Sequence, residues 1–157
     1  MQPPTDDIQI NLMLAEYAQV HGGKLFVAGG GLFAVYSVAP NALQQMAVCG
    51  TITLPFSELN REHTITIELF DLDEKPVLVP TPMGNQAFRI EAKLNAALPA
   101  PLQRGSELPM PFAVYFGLPI QPGTYHFQVM INGLERTQLR LPLHVLNAPQ
   151  GMMPGTF

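Results

Sequence analysis

Apolar residues recur at every second position through most of this chain, and that period restricts it to strands. Ile8, Ile10, Leu12 and Leu14 alternate with Gln9 and Asn11. Met46, Val48, Gly50, Ile52 and Leu54 alternate with Ala47, Cys49, Thr51 and Thr53. The same alternation runs through Ile65, Ile67 and Leu69, and through Phe88, Ile90, Ala92 and Leu94. It returns at Tyr125, Phe127, Val129 and Ile131, then at Leu139, Leu141, Leu143 and Val145. Successive side chains of a strand point to opposite faces, so each run offers one apolar and one polar face. No segment carries a capped apolar repeat at helical spacing. Short helical turns fit only Asn41 to Gln45 and Phe56 to Asn60.

Between the runs lies turn chemistry: His21-Gly22-Gly23, Asp71 to Pro76, the Pro-rich Ala97 to Pro111, Pro122-Gly123 and Asn132-Gly133. Leu25 to Tyr36 and Phe112 to Leu118 are apolar on both faces, which suits a central strand or one that crosses between sheets. The expected fold is all-β: an antiparallel two-sheet sandwich of immunoglobulin-like Greek-key type with about eight strands. An up-and-down barrel is the second choice. One domain over 1–146 is expected, followed by a flexible tail over 147–157.

The last hairpin allows a finer expectation. If odd positions of both its strands face the core, cross-strand partners must have an even index sum. A two-residue Asn132-Gly133 loop would pair Ile131 with Leu134 and turn Arg140 inward. The expected connection is therefore a three-residue loop with Gly133 left-handed. Pro122-Gly123-Thr124-Tyr125 resembles the tyrosine corner of Greek-key sandwiches, whose hydroxyl bonds to backbone upstream.

Charge narrows the function classes. Only 13% of residues are charged, against about 25% in an average chain. The net charge is −4 and the eight Lys and Arg are scattered, which excludes the clustered basic face of a nucleic-acid binder. Leu25 to Ser57 carries no charge, but its apolar part stops at Ala39 and contains Gly29-Gly30-Gly31, so a membrane helix is not expected. The acidic, polar start and the single Cys49 point to a cytoplasmic protein without disulfides.

Ala15-Glu16-Tyr17-Ala18, Gly23-Lys24-Leu25 and Gly29-Gly30-Gly31 follow one another early in the chain. Asn60-Arg61-Glu62-His63, Asp71, Pro122-Gly123-Thr124-Tyr125 and Asn132-Gly133 come later. In this arrangement the chain resembles a family of small bacterial and phage proteins catalogued as a domain of unknown function, over roughly Ile8 to Val145. Leu32 and Phe33 stand where that pattern often has Trp. The resemblance implies an all-β sandwich and transfers no catalytic residue.

Candidate chemistry is sparse. An EF-hand loop starting at Asp71 would put Lys75 and Pro82 at ligand positions, which excludes it, and Asp71, Asp73 and Glu74 read as a hairpin turn. His21, His63, His126 and His144 lack metal-ligand spacing, so no metal or cofactor is expected. Cys49 sits mid-strand without a cationic neighbour, no Gly-x-Ser-x-Gly elbow occurs, and the glycine run marks a bulge or a close approach. No catalytic residue is assigned. Arg136, Gln138, Arg140 and His144 form an outward row beside His126 and Gln128, and His126, Gln138 and Arg140 are the candidate binding residues.

The leading expectation is a non-enzymatic protein-binding or assembly module, self-associating or attached to a partner. Its warrant is the low charge density, with Met110, Met130, Met152, Met153 and Phe157 as adaptable apolar surface. The alternative is a small-ligand or carbohydrate-binding sandwich with its site in loops 71–86 and 97–111. A third is an enzyme whose site gathers distant residues, such as Glu62 with His63 or His126.

Overall fold

The computed structural model describes residues 7–39, 42–95 and 105–149. Its strands are β1 (Gln9–His21), β2 (Lys24–Gly30), β3 (Ala34–Ser37), β4 (Leu43–Leu54), β5 (Glu62–Asp71) and β6 (Leu78–Thr81). They continue with β7 (Gly84–Ala87), β8 (Arg89–Asn95), β9 (Leu108–Pro119), β10 (Gly123–Ile131) and β11 (Leu139–Asn147). Among the described residues the only helical pieces are single 3-10 turns, Phe56–Glu58 and Glu135–Thr137. The fold is all-β, with eleven strands among the described residues rather than about eight.

One sheet runs β2-β1-β4-β9, a second runs β3-β11-β10-β5-β8, and β6-β7 is a separate hairpin. The two larger sheets share one core, in which Leu14, Met46, Ile52 and Leu54 meet Ile65, Ile67, Phe127, Ile131 and Leu143. These are the residues of the period-two runs. Each such side chain contributes roughly 1.5–3 kcal/mol when buried. Phe116 of one sheet packs against Phe88 and Phe127, with ring centroids 5.4 and 5.7 Å apart.

Several expectations need correction. Of the two readings of Leu25 to Tyr36, the crossing between sheets holds and the central strand does not: β2 ends one sheet, the chain crosses through Gly31–Phe33, and β3 opens the other sheet. β3 runs parallel to β11, the exception among the described strand pairs. Phe112 to Leu118 lies in β9, also a sheet edge. The loop 71–86 contains the β6-β7 hairpin, turned at Thr81, whose hydroxyl donates to the Gly84 carbonyl. Residues 43–45 begin β4 rather than a helical turn, whereas 56–58 does form one.

The last hairpin keeps the even index sum, pairing Tyr125 with Leu143 and Val129 with Leu139. Its connection is not a three-residue loop. Asn132 (φ +53°) and Gly133 (φ +68°) make a tight turn closed by Leu134 N–H to Ile131 O. The 3-10 turn Glu135–Thr137 then restores the parity. Thr137 Oγ1 takes the Ile131 N–H at 2.9 Å and donates to Leu134 O at 2.7 Å, replacing the missing ladder bonds. The tyrosine hydroxyl behaves as expected, donating from Tyr125 to Gln121 O at 2.8 Å.

The outer face of the first sheet has its own small core. Ala15, Ala18, Ala47 and Cys49 are buried there, with Met13, Leu25 and Ala113 against them. Beyond the Ala15–Ala47 pair, β1 leaves β4 and pairs only with β2. That hairpin leans across, so β1 and β2 touch β9 although β4 lies between them in bonding order. Tyr17 and Tyr115 meet edge to face at 5.2 Å. Small residues beneath are what permit this approach.

Candidate functional site

Asp71 ends β5, and its Oδ1 accepts the N–H groups of Asp73 (2.8 Å) and Lys75 (3.0 Å). This Asx turn folds the loop back over the outer face of the second sheet, with Glu74 left-handed at φ +60°. Beneath it, His126 of β10 points outward by parity yet is buried, its side chain only 9% exposed. Phe70 stacks on its ring at 5.6 Å and 22°.

Arg140 of β11 brings Nη2 to 3.2 Å from His126 Nδ1 and 3.2 Å from Glu74 Oε1. A guanidinium only donates, so Nδ1 must accept and the imidazole proton sits on Nε2. Nε2 lies 3.4 Å from Glu74 Oε2 but makes no hydrogen bond, and it is buried. An unmet buried donor costs about 1–3 kcal/mol. The His126 pKa is lowered, first by burial and then by Arg140, with Glu74 and Asp71 pulling the other way. A cavity of about 340 Å³ opens alongside, walled by Leu72, Thr124, Tyr125, His126, Arg140 and Pro142.

The second notable surface is the free edge of β2. Gly22 (φ +59°) and Gly23 (φ +73°) form the tight turn that joins it to β1, with His21 and Lys24 as the closing pair. In such a hairpin Lys24, Phe26 and Ala28 aim their backbone groups at β1, and Leu25 and Val27 aim theirs outward. Tyr17, Val20, Phe26 and Val27 are exposed large apolar side chains on this hairpin. The other edges differ. β8 carries Arg89, Glu91 and Lys93, β9 contains Pro109, Pro111 and Pro119, and β3 has four residues. Charge, proline and shortness each discourage strand addition. β2 has no proline and one charge, Lys24, at its start.

Residues 11–146 match a family of unknown function, DUF6941. The chain belongs to this family. The match spans both the His126 cavity and the β1-β2 hairpin. A search of curated proteins finds no match.

Of the three candidate binding residues, the structure brings His126 and Arg140 together and leaves Gln138 apart. Gln138 closes the 3-10 turn, its N–H bonded to Glu135 O, and is exposed. His144 pairs with Thr124, its Nδ1 3.4 Å from Thr124 Oγ1. The expected Glu62–His63 pair does not form. Glu62 faces Lys93 at 3.6 Å, and buried His63 bonds Glu58 O (2.7 Å) and Asn132 Nδ2 (2.9 Å). Cys49 is buried, which raises its pKa. Residues 96–104 of the second loop, residues 150–157 with Met152, Met153 and Phe157, and the Arg136 side chain lie outside the described residues. Asn147 closes β11, and Ala148 N–H bonds Ser37 O at 3.1 Å.

Sequence reasoning missed Glu74 and Phe70 at this site. The Asp71-Leu72-Asp73 turn signal was present, but the face it folds onto depends on tertiary packing.

Proposed function

We propose that the protein is a non-enzymatic protein-binding or assembly module that accepts a strand along the free edge of β2, from a partner or a second copy. The observation that carries this reading is the contrast among sheet edges: β2 alone of the four outer strands of the two larger sheets is long, proline-free and nearly uncharged. Strand addition supplies main-chain hydrogen bonds, and Phe26 and Val27 supply apolar contacts on alternate faces. The buried unpaired thiol of Cys49 accords with a cytoplasmic setting. The Tyr125–Gln121 bond accords with an immunoglobulin-like Greek-key sandwich.

Capture with Val27→Pro beside the natural protein tests the proposal. The substitution removes an outward N–H and leaves the β1 ladder intact. Loss of a stoichiometric partner, or of self-association, is expected. Equal capture by both proteins contradicts strand addition.

The cavity beside His126 favours a second reading, a small-ligand site. Its walls are mostly apolar, with one guanidinium and one imidazole, which suits an acid better than a carbohydrate.

A further inference from the structure

Glu74 reaches the Arg140–His126 pair from an exposed loop, with its own side chain 60% exposed. Its carboxylate does there what an incoming carboxylate would do: it neutralises a guanidinium and stands before a buried imidazole N–H. Both contacts of Arg140 use Nη2, so Nε and Nη1 are engaged by nothing else among the described residues. Once Glu74 is displaced, the Nη2–H it leaves and the adjacent free N–H of Nε or Nη1 form one edge of the guanidinium, which can take a planar carboxylate through two parallel bonds. His126 Nε2–H is buried and has no hydrogen-bond acceptor. Next to these donors is the cavity of about 340 Å³, with Leu72, Pro142 and the Tyr125 ring in its walls. Leu72 is 75% exposed, so apolar surface at this mouth awaits cover.

We propose that Arg140 and His126 bind a small monocarboxylate with an apolar body, whose carboxylate takes the place held by Glu74 and whose body lies between Leu72 and Pro142. The inference rests on the small-ligand reading and not on the β2 edge. A monoanion is specified because one guanidinium and a neutral imidazole balance one charge, and nearby Asp71 and Glu74 would repel a second. Displacing Glu74 is inexpensive, since an exposed ion pair contributes little.

Benzoate, titrated into the full chain while the ring resonances of the four histidines are followed by NMR, tests this. His126 is expected to shift saturably while His21 and His63 hold still. Arg140→Gln, an exposed position whose folding is checked by thermal melting, should abolish the shift. Glu74→Gln, which removes the competing carboxylate, should tighten binding about five- to tenfold. No saturable shift, or a shift unchanged in Arg140→Gln, overturns the proposal. Equal binding of benzamide overturns the carboxylate assignment and leaves the pocket as a ligand site.

Discussion

Arg140 donates to His126 Nδ1 across 3.2 Å, which confines the proton of the neutral imidazole to Nε2. The pair joins β11 to β10 on the outer face of the second sheet, two strand positions away from the directly opposed Gln128–Arg140 and His126–Pro142 pairings. A second proton on His126 would have to sit on Nδ1, facing the guanidinium. That conflict and burial both act to hold its pKa down.

Acid should therefore destabilise the fold through His126. Between the ordinary imidazole value, about 6.5, and the lower folded one, the unfolded chain binds a proton that the folded chain refuses. The stabilisation is complete above the ordinary value and is lost as pH falls through that window. Urea midpoints at about pH 7.5 and about pH 5.5 measure it. The drop should be smaller in His126→Gln. An equal drop in both proteins would place the acid sensitivity elsewhere.

Two glycines should respond very differently to alanine. Gly50 has φ +151° and lies against β1 so closely that a Cβ would collide with the Asn11 carbonyl oxygen. Gly22, at φ +59°, has open space around its missing Cβ. Gly50→Ala should cost about 3 kcal/mol or more, since backbone must move, and Gly22→Ala about 1 kcal/mol, for the left-handed backbone alone. Similar urea midpoints for the two variants would contradict the close approach.

Asn132 ties the turn of the last hairpin to the start of β5. Its amide N lies 2.9 Å from His63 Nδ1, its Oδ1 accepts Thr64 N–H at 2.8 Å, and its φ of +53° shapes the turn. Asn132→Ala loses the bonds and strains the backbone, for about 2–3 kcal/mol. Asn132→Gly loses the bonds alone and should cost about 1 kcal/mol less. Alanine and glycine variants of equal stability would show that the left-handed turn carries no strain.

The strand faces were legible because side-chain parity is local: Ile65, Ile67 and Leu69 are buried where their alternation with polar residues put them. The even index sum of the last hairpin followed from the same parity. The three-residue loop failed because the inference assumed an unbroken strand from position 137, and Thr137 instead closes a 3-10 turn. Gln138 is exposed, as parity had it, but it ends that turn, whereas Arg140 lies within β11 beside His126. Parity sent His126 outward correctly. What buries it is a loop folded by Asp71, and no spacing in the chain ties position 74 to positions 126 and 140. The unprotected edge of β2 was also out of reach, because a strand's place in a sheet is a property of the pairing and not of the strand.

The most direct test of the central claim is residue-resolved amide hydrogen exchange at Leu25 and Val27, in the isolated chain and in its captured complex. These N–H groups point away from β1 and should exchange freely when β2 is an edge. Strand addition predicts that both become protected in the complex, while Phe26 and Ala28, already bonded to β1, change little. Unchanged exchange at Leu25 and Val27 in a complex that does form would contradict assembly through this edge.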